Sequence, residues 1–291
     1  MAIATALVVV PAVSANAAVT DVAVLSTPNV EIYPSATATE LGWTQNSHAH
    51  PRHFNAFVRP FGGGKTVQVN APGTKGFAGG FDGSRFIFQQ VSKQGQSDLR
   101  IYDTSTGHYV AVPNGVNTTR WERAPTMDGD YLAFNRDTAL RQRTTYRVVL
   151  HQISTGKEII LDSITTKGSA YVYTGQLSGD YVTWERCTAT TGCDVYVYRI
   201  STGKKTKVPD RRQEYSPAVS SDGTVYFIRS ANGCGAHVEL MRDVAGTVTL
   251  IHRFAKNRDS FGTYAIDATH VVHEVDNCRT GGSDVYEATV G

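Results

Sequence analysis

The chain of 291 residues is 41% apolar and 19% charged, with a formal net charge of +2, 27 Gly and four Cys. That apolar fraction is ample for a core and excludes disorder and a minimal disulfide-stapled scaffold, while the length suits one large domain or two small ones. The low and sign-balanced charge excludes a polybasic nucleic-acid binder and an acidic solvating tail, leaving a neutral, Gly-rich, β-prone protein.

From the start of the chain, residues Ala2 to Val13 form an uninterrupted small and apolar run, and Ser14-Ala15-Asn16-Ala17-Ala18 follows with the small side chains a signal peptidase accepts. This pattern predicts a secretory signal over 1–18, cut after Ala17 or Ala18, and a mature protein over 19–291 that is secreted or held at the cell envelope. No Lys or Arg precedes the run, a departure that a start codon upstream of Met1 would explain. The run falls short of the roughly 20 residues that span a bilayer. No other segment approaches that length, so no membrane span is expected, and a monomer is. The mature start, Val19 to Leu25, is strand-like.

Next comes Asn46-Ser47-His48-Ala49-His50-Pro51-Arg52-His53. On extended backbone His48 and His50 would project to one side and His53 could fold back, a nitrogen set of the kind zinc or copper takes. The alternative is a solvated polar loop, stiffened where His50 precedes a proline. No fourth ligand is identified, so no cofactor is expected beyond this candidate metal ion. Gly62-Gly63-Gly64-Lys65 lacks the spacing of a phosphate-cradling loop and reads as a hairpin turn.

From here the chain repeats itself. Each unit reads as a strand, a Gly turn, a strand with an aromatic, a polar loop, a third strand, a second Gly turn and a fourth strand. First turns fall at Asp82-Gly83, Asp128-Gly129, Ser178-Gly179 and Asp222-Gly223, at intervals of 46, 50 and 44 residues. Second turns recur as Ser105-Thr106-Gly107, Ser154-Thr155-Gly156 and Ser201-Thr202-Gly203, with Gly64 before and Gly246 after. Gly accepts the positive backbone torsions such turns need. Between them, Tyr131-Leu132-Ala133-Phe134 and Tyr181-Val182-Thr183-Trp184 have strand composition. A period near 45 with four short strands is that of a β-propeller blade. Thr39 to Trp43 supplies a unit before the first full copy, and Tyr264 to Thr289 a short last one. The expectation is therefore an all-β, six-bladed β-propeller of four-stranded antiparallel blades, its ring closed by the mature N-terminal strand, which removes exposed edges.

The stretch Ser216-Pro217-Ala218-Val219-Ser220-Ser221-Asp222-Gly223, followed by an apolar strand with an aromatic, resembles the repeat of TolB-like six-bladed propellers, with weaker copies at Asp82-Gly83 and Asp128-Gly129. The resemblance covers the mature chain and implies the fold. Propellers of this kind serve as extracellular or periplasmic protein-binding modules, as regulatory domains of peptidases and as hydrolase or lyase scaffolds, so the resemblance alone does not decide function. The peptidases' α/β-hydrolase domain and Gly-x-Ser-x-Gly elbow are absent from the sequence.

Candidate binding residues gather in the connecting segments. Arg141 and Arg143 lie in a basic loop that begins at Arg136. Arg120, Trp121 and Arg123, then Arg211 and Arg212, then Arg258, lie between units. In a propeller both kinds of segment reach one face at the channel mouth, where a net-positive rim would suit a protein partner or an anionic ligand; ordinary loop polarity is the plainer reading. Trp121, in a connection, is a candidate anchor. Trp43, Phe88, Phe134, Trp184 and Phe227 fall at matching positions of second strands and read as packing between blades. No catalytic set emerges from spacing. The leading reading is a non-catalytic binding module, with a metal-assisted hydrolase or lyase acting on a carbohydrate or lactone as the alternative. In an oxidising compartment the four cysteines are read as disulfides. Of three connectivities, Cys187 with Cys193 across one hairpin loop is preferred, with Cys234 and Cys278 in corresponding loops of neighbouring units.

Overall fold

The computed structural model describes residues 19–47, 49–140, 143–210, 212–230, 238–260 and 262–290. The expected signal 1–18, His48, Arg141, Arg211 and Cys234 lie outside the described residues. The described chain is built of strands and turns without a helix, so none of its helices could cross a membrane.

The chain opens with β1 (Val19–Leu25), β2 (Val30–Ala36), β3 (Glu40–Ser47), β4 (His50–Pro60) and β5 (Val67–Gln68). Four antiparallel sheets of four strands follow. The first holds β6 (Lys75–Asp82), β7 (Arg85–Val91), β8 (Ser97–Asp103) and β9 (His108–Val110), and the second β10 (Trp121–Asp128), β11 (Tyr131–Leu140), β12 (Arg143–Gln152) and β13 (Glu158–Thr166). The third holds β14 (Tyr171–Ser178), β15 (Tyr181–Thr188), β16 (Gly192–Arg199) and β17 (Lys204–Lys207), and the fourth β18 (Gln213–Val219), β19 (Val225–Ser230), β20 (Val238–Val244) and β21 (Thr247–Arg253). Last come β22 (Arg258–Asp259), β23 (Thr263–Ala265), β24 (His270–Asn277) and β25 (Ser283–Val290). These join the first five strands in a nine-stranded sheet. The joint is a parallel bridge between Val30 and Ser283. The N-terminal β1 pairs antiparallel with β25, Val19 opposite Val290, so the two ends of the described chain share a sheet.

Turn chemistry explains the periodicity. Gly83, Gly129, Gly179 and Gly223, between first and second strands, all have positive φ, as do Gly107, Gly156 and Gly203 in the Ser-Thr-Gly turns, a conformation other residues enter at a steric cost. The two turns are also tied to each other. Asp130, just after Gly129, accepts the Ser154 N–H at 2.8 Å, and Asp180, just after Gly179, accepts the Ser201 N–H at 2.7 Å. The same serines' hydroxyls hold both carboxyls below the usual aspartate range.

The core lies between sheets. Ile87, Leu99 and Ile101 of one sheet pack with Met127, Leu132 and Phe134 of the next, and equivalent clusters fill each successive gap, including that between the last strands and the first. Trp43, Phe88, Phe134, Trp184 and Phe227 are all buried second-strand residues, each packed against the preceding sheet. In β24 the same role falls to a fully buried His273, whose ring meets Phe254 at 5.3 Å. The innermost strands β2, β6, β10, β14, β18 and β23 touch in that order and back to β2.

Three sequence readings are corrected. The segment from Arg136 is strand, not loop, because β11 and β12 pair without a break from Tyr131 opposite Gln152 to Leu140 opposite Arg143. Trp121 opens β10 opposite Asp137 rather than sitting in a connection. His50 and His53 belong to β4, so the polar loop there is far shorter than the sequence suggested.

Candidate functional site

Where the innermost strands meet, their pairing with the second strands slips. Register shifts fall between Ile32 and Ser35, Ala78 and Phe81, Arg123 and Thr126, Thr174 and Leu177, and Tyr215 and Ala218. In β2, β10 and β18 the slip is built by a residue before proline, with φ of 52° at Tyr33, 47° at Ala124 and 49° at Ser216. A non-glycine residue there is strained, and one before proline more so. Buried carboxylates hold two of the three: the Tyr33 N–H donates to Glu274 Oε2 at 2.7 Å, and the Ser216 N–H to Glu185 Oε2 at 2.6 Å. The intervening strands carry glycine where these prolines press. A Cβ on Gly79 would stand 2.3 Å from the Pro125 oxygen, one on Gly175 2.3 Å from the Pro217 oxygen, and one on Gly262 2.8 Å from the Pro34 ring. Strain concentrated in this way is a recurrent property of functional sites.

The bulges surround a cavity of about 470 Å³, to which β2, β6, β10, β14, β18 and β23 all contribute. Tyr33, Tyr146, Tyr171, Tyr173 and Tyr215 line it with Arg123 and Glu185. Side chains reaching across the ring form its floor. The Phe81 N–H of β6 donates to the Tyr264 hydroxyl of β23 at 3.2 Å. From β14, Gln176 Nε2 donates to the Ala265 oxygen at 2.8 Å, and its Oε1 accepts the N–H groups of Ala265 and Val219. The bonds to Phe81 and Ala265 join strands that are not neighbours in the ring, β6 with β23 and β14 with β23, and so reach across it and narrow the channel to a cup, while Val219 lies on β18, next to β14.

The electrostatics of the cup are set by burial. Glu185 is pushed up to about 7 by burial, against the opposing pull of the Ser216 N–H, the Tyr171 hydroxyl and Arg123. Tyr33 is raised above the usual phenol range by its neighbour Tyr173 and then by burial, and Tyr171 by burial and then by Glu185. Their hydroxyls therefore stay protonated as hydrogen-bond donors near neutral pH. Arg123 is clamped: its Nε donates to Asp137 Oδ2 at 2.5 Å, and its guanidinium lies 4.9 Å from the Tyr173 ring centre and 5.4 Å from that of Tyr146.

Of the six rim candidates among the described residues, Arg123 is the one that lines this cup. Trp121 is 52% exposed and follows an exposed Arg120. Arg143 stands exposed at the start of β12, Arg212 lies 3.5 Å from Glu239, and half-buried Arg258 pairs with Asn277 in β22. His50 and His53 are exposed with their rings stacked at 5.3 Å. Among the described residues no group of three His, Cys, Asp or Glu is placed to hold a metal. Cys187 and Cys193 are bonded as expected, opposite each other across the β15–β16 hairpin. Cys278 is also disulfide-bonded.

No family model matches the sequence, and no curated protein aligns with it. Solved structures do. The putative TolB of Agrobacterium tumefaciens superposes with a TM-score of 0.56 at 14% identity, covering 91% of this chain and 92% of that one. The fold is a TolB-like β-propeller. TolB of Acinetobacter baumannii gives a TM-score of 0.56 at 10% identity over 86% of this chain, which spans only 64% of that protein. A luciferin-regenerating enzyme gives 0.58 at 10% identity over 94% of this propeller and 95% of its own length. Propellers of this kind include binding proteins and enzymes, so the cup has to be read on its own residues.

Proposed function

We propose that this protein is an exported, monomeric six-bladed propeller, its ring closed by β1, that binds a ligand in the tyrosine-lined cup at its channel mouth. The supporting observation is the cup itself: a cavity of drug-ligand size, lined by Tyr264 and five further tyrosines, with the strained Tyr33 and Ser216 held in place by buried carboxylates. The Cys187–Cys193 bond fits an oxidising compartment. The test is recovery of bound compounds from spent culture medium by the purified protein, read by mass spectrometry after denaturation. Wild-type protein is expected to retain compounds that Tyr171→Ala/Tyr215→Ala, folded by its melting profile, does not. Equal recovery by both would remove the cup from consideration.

A second reading, a hydrolase or lyase acting on a carbohydrate or lactone, is favoured by one feature. Glu185 is a buried cavity carboxyl poised near 7 beside the Tyr171 hydroxyl, as a general acid or base would be. The luciferin-regenerating enzyme is a catalyst of similar length and fold. If Glu185 does chemistry, turnover of a lactone or glycoside panel follows a pH profile that bends near 7, and Glu185→Gln lowers it by about 100-fold or more. Activity that survives that substitution unchanged would exclude Glu185 from the chemistry.

A further inference from the structure

Among the described residues lining the cup, Arg123 is the cation. It stands beside the β10 bulge with its side chain 25% exposed. Asp137 engages Nε, and the Tyr146 and Tyr173 rings fix the plane of the guanidinium. The two terminal nitrogens make no hydrogen bond within the described chain, which leaves them to a guest. A guanidinium held by Nε and by its faces offers two parallel donors, the arrangement that a carboxylate accepts in bidentate fashion. Around it Tyr33, Tyr171 and Tyr215 offer flat apolar faces with hydroxyl donors at their edges.

The sign of the guest's charge follows from what is already in place. Tyrosine cages also take organic cations, but here Arg123 occupies the faces of Tyr146 and Tyr173, and a second cation would meet it directly. Of the carboxyls nearby, Asp137 is committed to Arg123 Nε and Glu274 to the Tyr33 N–H. Glu185 is held by Ser216 and Tyr171, and burial favours its neutral form beside an anion. Building on the cup as a ligand site, we propose that its guest is an organic carboxylate borne on a flat ring. Arg123 takes the carboxylate and the tyrosines pack the ring.

The experiment is isothermal titration of the full chain with three matched probes: 4-hydroxybenzoate, 4-hydroxybenzamide and benzylammonium. The carboxylate is expected to bind at least tenfold more tightly than the amide and the cation least. Arg123→Gln strands the buried Asp137 and can cost the fold, so Arg123→Gln/Asp137→Asn is titrated beside it. That pair removes both charges, and it is expected to lose the tenfold preference while keeping amide binding; Arg120→Gln, outside the cup, is expected to keep the preference. Equal binding of carboxylate and amide, tighter binding of benzylammonium, or a preference that survives in the double variant would each overturn the carboxylate assignment and leave the cup as a ligand site. So would failure of all three probes at 10 mM. Binding unaffected by Tyr171→Ala/Tyr215→Ala would instead overturn the cup.

Discussion

Arg136→Met is expected to destabilise the protein by about 3–5 kcal/mol, the cost of stranding a buried charge. Arg136 is 6% exposed. Its Nε donates to Glu122 at 3.0 Å, Nη1 to Glu158 at 2.6 Å, and Nη2 to the backbone oxygens of Gly115 and Val116. The guanidinium also lies 5.0 Å from the Phe134 ring centre. Without it the fully buried Glu122 keeps only the Thr118 hydroxyl and N–H, and the two carbonyls lose a charged donor. The measurement is urea unfolding at pH 7.5. Two further results separate charge from packing. Arg136→Met/Glu122→Leu removes both charges and is expected to regain most of the loss, because a buried ion pair is often no better than its apolar replacement. At pH 5 the single variant is expected to lose less, because burial already raises Glu122 and a neutral carboxyl tolerates isolation. A single variant within about 1 kcal/mol of wild type at pH 7.5 would show that Arg136 is not the counter-charge of Glu122.

Arg136 also marks the boundary of what the sequence discloses. The turns were legible because a tight hairpin restricts residue choice locally, and Gly83, Gly129, Gly179 and Gly223 carry the positive φ their spacing implied. The second-strand aromatics were legible because they recur with the same period. The Cys187–Cys193 bond followed from a single hairpin. The cup was not legible, because its members meet only when the ring forms: Tyr33 of β2, Tyr173 of β14 and Arg123 of β10 are brought together by closure of the whole chain. Arg136 reads as loop in the sequence because one charged side chain resembles another until its partners are known, and Glu158 lies on β13. In β2, Pro34 and the bulge break the alternation that marks a strand. A signal did exist. Glu31-Ile32-Tyr33-Pro34, Glu122-Arg123-Ala124-Pro125 and Glu214-Tyr215-Ser216-Pro217 repeat on alternate units, a double period that a search for one turn per unit overlooks. Each of these prolines packs on a glycine of the preceding unit, which is why the repeat alternates.

The glutamates of that motif lead to the second large effect: unfolding free energy is expected to fall as pH rises from about 4.5 to about 8. Burial pushes Glu31 up to about 7 and Glu214 up to about 8, and Glu185 joins them at about 7. Geometry agrees for the first two. Glu214 Oε2 accepts the Val195 N–H at 2.8 Å and Glu31 Oε1 accepts the Thr27 hydroxyl, while the second oxygen of each is buried without a partner among the described residues. In the unfolded chain these carboxyls ionise near 4.5. Between that value and the raised ones the folded state therefore holds more protons, and raising the pH draws the equilibrium toward unfolding. The stabilisation is complete below the unfolded value and gone above about 8. Asp130, Asp180 and Asp267, held low by hydrogen bonds, act in the opposite sense and set the acid limit. Burial lowers His252, so its own contribution is lost as pH falls through the histidine range and blunts the slope. At about 1.4 kcal/mol per displaced unit, a net loss of about 2 kcal/mol or more between pH 5 and pH 8 is expected in urea titrations. Glu31→Gln/Glu214→Gln, uncharged throughout, is expected to flatten the curve and to exceed wild type at pH 8. A wild-type curve that rises over this window would mean that both carboxyls are ionised at little cost. Glu122, in the same place in the motif, is also raised by burial and so adds to the same slope, with the neighbouring Arg136 pulling the other way.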